Sequence, residues 1–546
     1  MKRHLLYLFV AAITVATACT PRSGDDSGSR TTSTTTIETM NGDSLLAIAR
    51  LKSEKQYTIP SFTRLRMAVI AVENDSTRAG ELACALNNLV PAGMPFSITV
   101  NINGDPTSRM AFNWLTDSAY LSGNIQIVKG VAKNDKKFRK PFRTAVAASV
   151  AVDSLPYSVS GNKLEELAGI AGGTKKSYSS HKAVISGLKP GRVYSYRVGS
   201  GDNWSATGTF RTASKNPKEF SFIYTTDSQA TTEADFKVSQ TTTHTAFRIY
   251  PDVDFWLCSG DLINAAGANN SQWEWEQFFE TQQGLLQNIP FAPVLGNHDR
   301  SPNRNFTYHF NTAETGFDQE MSTSPGSVYS FVYGNALFLA LSFEDYRREG
   351  YLESLAKWMR EEVSSNPDVK WRIAFYHKNI YTGAGHQTDN DGIIVRNRFA
   401  PLFDSLDIDL ALQGHDHVYQ VIGPVKDKKL VPGSVTGVSE APFDKRENVT
   451  GKMNGIFDVT EGTLYFLNNS AGKKKYNPRS KEEMDSDSER LEVPDYYSLF
   501  TGRLGQTGRP TFSHISVTDS KITIVTYEVA DDGKEIPFDR FVVVKK

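Results

Sequence analysis

Asp227 in YTTDSQ, Asp261 in SGDLIN, Asn297 and His298 in LGNHD, His377 in AFYHK, and His415 and His417 in QGHDHVY place carboxylate, carboxamide and imidazole groups in the second half of this chain. Two divalent cations held about 3.5–4 Å apart require such a set: mixed oxygen and nitrogen donors, with at least one carboxylate able to span both ions. A lone Asp or His in a loop is ordinarily a solvated surface residue. Here the order and the setting carry the information, because each member follows an apolar run of β type: FSFIY, VDFWLC, FAPVL, WRIAFY and IDLALQ. Strands of a buried sheet would deliver all of these polar clusters to one edge. Asp261 is the expected bridging carboxylate, and Gly260 before it gives a tight turn that lets the main chain pass close to the ions. His415 and His417, two residues apart, are expected to leave an extended backbone on the same side, with Asp416 pointing away.

The elements that position these residues are legible in outline. At 546 residues, 39% hydrophobic and 11% aromatic, the chain has material for globular cores and exceeds what one core usually serves. Its 60 basic and 61 acidic residues leave a net charge of −1 with no dominant block, which argues against a nucleic-acid scaffold or a strongly anionic partner. Residues 43–93 form an N-terminal extension with short helical patterns at Leu45–Leu51 and Arg78–Leu89 and no visible chemistry. From Met94 the texture is all-β: PFSITVNI, MAFNWLT and GNIQIVKG alternate between turn signals. A less regular stretch runs from Lys133 to Ser179, after which HKAVISGLKPGRVYSYRVGS and ATGTFRT restore the alternation. Residues 94–214 thus resemble a fibronectin type III-like or Ig-like sandwich. Pro217 marks a linker, and residues 217–546 alternate strand-like runs with amphipathic stretches such as SQWEWEQFFETQQGLL and LESLAKWMREEV, an α/β pattern. The run FSHISVTDSKITIVTYEV returns to period two and is expected to complete the catalytic sheet.

The first 19 residues read as an export signal. Lys2, Arg3 and His4 precede an apolar run from Leu5 to Val15, too short to span a bilayer, and Ala16-Thr17-Ala18 leads to Cys19. This ending resembles the bacterial lipobox, which implies cleavage before Cys19, acylation, and a membrane partner through the lipid anchor. Thr20, rather than an aspartate, then implies release to the outer membrane of a Gram-negative cell. Residues 20–42 read as a flexible tether. Of the other cysteines, Cys84 and Cys258, the latter sits in an apolar run and is expected to be a buried free thiol outside any disulfide framework.

At its ordered motifs the chain resembles the calcineurin-like metallophosphoesterases, and the preceding fibronectin-like sandwich is similar to the purple acid phosphatases of plants and bacteria. The resemblance, from about Met94 onward, implies an αββα two-sheet fold from Pro217. It implies a first metal on Asp227, Asp261 and His417, and a second on Asp261, Asn297, His377 and His415. His298 would hydrogen-bond the phosphate and protonate the leaving group, with Asp299 orienting its imidazole. The implied activity is hydrolysis of a small phosphate monoester by in-line attack of a metal-activated hydroxide; the alternatives are a phosphodiesterase or nucleotidase, or a catalytically degenerate binding lipoprotein. His386 or Lys378 would be a second donor to substrate. The chain departs from the purple acid phosphatase pattern at Asn264, where those enzymes carry an iron-binding tyrosine three residues after the bridging aspartate. It departs from related phosphoesterases at Gln229, where they carry a histidine. Gln229 and Asn264 could each ligate through oxygen, hold a water or brace Asp227. The donor set suits two divalent ions, Mn, Fe or Zn.

Overall fold

Largely apolar runs of Phe, Ile, Leu, Val, Ala and Trp form strands covered on both faces, as parallel sheets require. Glu219–Thr225, Phe255–Cys258 and Phe291–Pro293 lie side by side in parallel. In a second sheet, Ala336–Ala340, Trp371–Tyr376, Leu410–Gln413 and Thr463–Asn468 do the same. The computed structural model describes residues 93–157, 174–264, 271–300, 304–312, 316–437, 449–450, 454–506 and 508–546. Cys19, Cys84, the tether and the two short helical patterns before residue 90 lie outside the described residues.

The two sheets face each other across a core rich in aromatic side chains. Phe220, Phe222, Tyr224, Phe255 and Leu257 of one sheet meet Phe331, Phe338, Phe375, Leu412 and Phe466 of the other. Phe255 packs edge-on against Phe338 with ring centroids 5.6 Å apart, which contributes beyond the roughly 1.5–3 kcal/mol each buried large apolar side chain supplies. Helices Glu233–Ile249 and Ser271–Leu286 cover the outer face of the first sheet through Phe236, Phe247, Trp273, Trp275 and Phe279. Tyr351–Ser365 and Asn390–Ser405 cover that of the second through Leu355, Trp358, Met359, Phe399 and Phe403. This is the αββα arrangement. Thr511–Thr518, Lys521–Val529 and Glu535–Val544 extend the first sheet antiparallel, pairing from Glu219–Thr225 outward. Cys258 is a buried free thiol.

The N-terminal β domain buries Phe112, Trp114, Ile125, Ile127, Tyr196, Val198 and Phe210 between two sheets. One sheet contains Phe96–Asn101, Met110–Asp117, Ala148–Tyr157 and Thr174–Ile185. The other contains Asn124–Lys129, Arg143–Val146, Val193–Ser200 and Gly208–Arg211. The stretch that reads as irregular holds two of these strands, Arg143–Val146 and Ala148–Tyr157. Ala148–Tyr157 is the terminal strand of its sheet, where Ala, Ser and a proline are tolerated and the apolar alternation that marks interior strands is weak.

The first of these sheets is not closed on itself. Phe96–Asn101 lies parallel beside Phe291–Pro293, so the sandwich sheet and the first catalytic sheet form one array of 12 strands. The Asn101 side chain donates to the Phe291 carbonyl at 3.1 Å, and Gln283 both accepts from Ile98 N–H (3.1 Å) and donates to Ile98 O (2.9 Å). Tyr196 O–H donates to the Gln287 carbonyl at 2.9 Å. Asn311 donates to the carbonyls of Phe112 (3.0 Å) and Ala183 (3.1 Å). Hydrogen bonds of this kind, shielded from water, fix the two domains in one relative placement.

Candidate metal centre

The parallel strands of both sheets end at a common rim. Glu219–Thr225 leads to Asp227, Phe255–Cys258 to Asp261, Phe291–Pro293 to Asn297 and His298, Trp371–Tyr376 to His377, and Leu410–Gln413 to His415 and His417. Tight turns at these strand ends aim the side chains inward. Asp227 (φ 55°) and Asp261 (φ 52°) occupy the left-handed region, which Asp tolerates better than most residues. Close approach of the loops is paid for by glycine: a Cβ on Gly296 would stand 2.1 Å from Asp261 Oδ1, and one on Gly260 (φ 94°) 2.9 Å from His377 Nδ1.

Two carboxylate–imidazole pairs sit at the centre. His377 Nε2 lies 3.1 Å from Asp261 Oδ2 and 3.0 Å from Asn297 Oδ1, and His417 Nε2 lies 3.1 Å from Asp227 Oδ1. In both rings the other nitrogen is committed: His377 Nδ1–H donates to the Ser259 carbonyl at 2.9 Å and His417 Nδ1–H to the Lys474 carbonyl at 3.0 Å. A carbonyl can only accept, so in each neutral ring the proton resides on Nδ1 and the Nε2 lone pair points at carboxylate oxygen. Lone pairs facing lone pairs in a buried site call for a cation between them. In the absence of one, a proton is the substitute: burial opposes the charge, yet the Asp261 carboxylate raises His377 to about 10. Asp261, His377 and His415 also bring their donor atoms within 4.8 Å of one another. The oxygen and imidazole donors fit divalent ions.

His415 and His417 reach this centre by a different path from the extended one that their spacing suggests. His415 has φ 75°, and two successive short turns, Asp416 N–H to Gly414 O (2.9 Å) and Val418 N–H to Asp416 O (2.8 Å), bend the segment. The His415 N–H is held by both oxygens of Asp227 at 3.1–3.2 Å. Asp416 points away from the two imidazoles but is not idle: its Oδ1 lies 2.6 Å from His386 Nδ1, and Oδ2 accepts from Thr382. His386 therefore belongs to the site. It lies in a single 3₁₀ turn, Gly385–Thr388, and its ring packs on His415 with centroids 3.9 Å apart. Burial disfavours its charge, but Asp416 shifts it upward overall.

Asp299 does not orient His298. Its Oδ1 accepts from the Leu262 (2.8 Å) and Ile263 (3.0 Å) N–H groups and its Oδ2 from Gly296 N–H (3.0 Å), so the buried carboxylate ties the Asp261 loop to the Asn297 loop. The imidazole is held instead by the main chain of Asn264, whose carbonyl accepts from Nδ1–H, while His298 N–H donates to Asp261 Oδ1 at 2.9 Å. Gln229 reaches the centre: Nε2 donates to Asp261 Oδ2 at 3.2 Å, leaving a buried Oε1 without a hydrogen-bond partner. Among the described residues Asn264 contributes hydrogen bonds of its main chain, including N–H to Glu274 Oε2 at 2.8 Å. Lys378 is tied to Asp391 and lies 3.7 Å from Glu344, and it lines a small cleft together with His386 and His415.

The sequence reading missed the loop after Thr463–Asn468. Ser470 Oγ donates to the Asp227 carbonyl (2.8 Å), Lys474 faces both His417 and His298, and the Tyr476 ring packs on His417 with centroids 4.5 Å apart. Its signal was the one used elsewhere, an apolar run (LYFL) followed by a polar cluster, but it ends in lysines and a tyrosine instead of the usual ligand types.

With this geometry, the comparisons with known proteins agree. The calcineurin-like phosphoesterase family matches residues 227–419, and the purple acid phosphatase N-terminal domain matches residues 95–212. The chain thus carries a calcineurin-like phosphoesterase domain preceded by a purple acid phosphatase N-terminal domain, and these families imply divalent metal ions. It is similar to an uncharacterized protein of Mycobacterium tuberculosis, 24% identical over 40% of this chain and 42% of that one. It is also similar to acid phosphatase type 7 of Danio rerio, 25% identical over 48% of this chain and 61% of that protein. The matches therefore span less than two thirds of those relatives' lengths. Among solved structures, a purple acid phosphatase from yellow lupin seeds superposes with a TM-score of 0.58 at 13% identity, covering 83% of this chain and 75% of that one, which shows a shared fold.

Proposed function

We propose that this chain hydrolyses phosphate monoesters with two divalent ions, one on Asp227, Asp261 and His417 and the other on Asp261, Asn297, His377 and His415. The observation that carries the reading is the pair of imidazoles whose Nδ1–H groups are locked by carbonyls while their Nε2 atoms face Asp261 and Asp227. When bound, the ions supply charge neutralisation at the phosphoryl oxygens and lower the pKa of water toward about 7. The protein's own groups do the rest. Because the Asn264 carbonyl occupies His298 Nδ1–H, Nε2 is the atom left to take up a proton, making the ring an imidazolium, and to give that proton to the departing oxygen. His386, steadied by Asp416, donates a second hydrogen bond to the phosphate. Asp299 holds two loops at fixed spacing so that His298 and Asp261 keep their relation. Neither Gln229 nor Asn264 supplies a phenolate, and the donor set favours Mn(II), Fe(II) or Zn(II). The mature chain is read as lipid-anchored through Cys19 at the outer membrane, on the strength of the N-terminal sequence.

Elemental analysis together with turnover of p-nitrophenyl phosphate and bis-p-nitrophenyl phosphate tests the reading. Two ions per chain and preference for the monoester are expected. Preference for the diester would make the chain a phosphodiesterase, and failure to bind metal or to turn over either compound would leave the degenerate binding protein.

A further inference from the structure

The His298 nitrogen that the Asn264 carbonyl leaves free faces an ammonium group: Lys474 Nζ donates to His298 Nε2 over a long 3.5 Å. Lys474 is firmly placed. Its carbonyl accepts from His417 Nδ1–H, and the residues before it are fastened to the Asp227 loop by Ser470 Oγ–H (2.8 Å) and Gly472 N–H (3.2 Å), both donating to the Asp227 carbonyl. Its neighbours turn elsewhere. Lys473 pairs with Asp235 at 2.9 Å and Lys475 donates to the Gly508 carbonyl, both from exposed positions. Lys474 is half-buried and forms no ion pair with a carboxylate among the described residues.

A half-buried ammonium whose contact is a long one to an imidazole nitrogen, with no counter-ion among the described residues, has lost hydration with little compensation, and an incoming anion makes up the difference. The position of that anion is set by His298. To receive a proton the leaving oxygen must come within about 2.6–3.2 Å of Nε2, the same nitrogen that the Lys474 ammonium faces, so the ammonium lies on the leaving-group side of the site. Resting on the reading of His298 as the proton donor, we propose that Lys474 binds a second anionic group of the substrate. The preferred substrates are then phosphate monoesters whose alcohol carries a carboxylate or another phosphate close to the ester oxygen.

Two matched comparisons test this. Phosphoglycolate and ethyl phosphate are similar in size and differ by one carboxylate; their non-hydrolysable counterparts, 3-phosphonopropionate and propylphosphonate, allow affinity to be read by calorimetry without turnover. Lys474→Met should raise KM for phosphoglycolate about tenfold or more, with little change for ethyl phosphate, and should weaken 3-phosphonopropionate alone. Lys474→Arg should restore most of the preference, and Lys473→Met should leave it unchanged. Equal loss of kcat on both esters would place Lys474 at the leaving oxygen and overturn the proposal, as would wild-type protein binding the two phosphonates equally. Should the wild type turn over no ester yet bind 3-phosphonopropionate in a Lys474-dependent way, the anion site would stand and the hydrolytic reading would fall.

Discussion

The Nδ1–H of His298 is held by the backbone carbonyl of Asn264, three residues after Asp261. The main chain of that position thus supports the imidazole, whatever its side chain does. His298→Ala should leave both metals bound and lower kcat by about 10²–10⁴-fold, more for poor leaving groups than for good ones. Rates measured across aryl and alkyl phosphates of graded leaving-group pKa check this; a uniform drop would mean that His298 binds phosphate without donating a proton.

Asp261 contacts His377, Gln229 and the His298 N–H, and its replacement by Ala removes the carboxylate shared between the ions. Occupancy of at least one ion should be lost. Elemental analysis returning two ions per chain for Asp261→Ala would refute the bridging assignment.

Asp299 separates two roles. If it ties loops together, Asp299→Ala strands three buried N–H groups, and at about 1 kcal/mol each the loss of stability is on the order of 3 kcal/mol. Residual activity should keep the wild-type dependence on leaving-group pKa. Unfolding in denaturant measures the first, and the same ester series the second; wild-type stability with a flattened dependence would return Asp299 to the imidazole.

Colour reports the first metal. Tyr224 is buried between the sheets with its hydroxyl on the Gln413 carbonyl, and Asn264 and Gln229 carry no phenol, so iron-loaded protein should show no tyrosinate band and divalent ions alone should restore activity to stripped enzyme. Tyr476, packed on His417, is the tyrosine to mutate should a visible band appear. Loss of the band in Tyr476→Phe would place a phenolate at the first metal.

Much of this was legible because strand ends carry chemistry in a form that sequence displays: an apolar run, a turn, then a ligand-type residue. Asp227, Asp261, Asn297, His377, His415 and His417 all follow that grammar, and the structure gathers them at one rim. What escaped depended on contacts between segments far apart in sequence. The partner of His298 is a carbonyl, which has no residue identity to read. Asp299 stands next to His298 in the chain, yet its carboxylate turns to Leu262, Ile263 and Gly296. His386 is legible as a possible second donor, but its anchor Asp416, thirty positions away, is not. The bend at His415 follows from its N–H being captured by Asp227, a pairing across 188 residues that no local periodicity encodes.

The junction between Phe96–Asn101 and Phe291–Pro293 has a consequence for dissecting the protein. Cutting the chain near Pro217 would not release a finished catalytic unit; it would bare a raw strand margin directly beneath the loop that carries Asn297 and His298. Exposed margins recruit other strands, so the excised fragment should clump or misregister at the place where the site is built. The front domain is therefore a selvedge, woven on to keep the working cloth from fraying, and swapping it for another sandwich module would disturb the centre it borders.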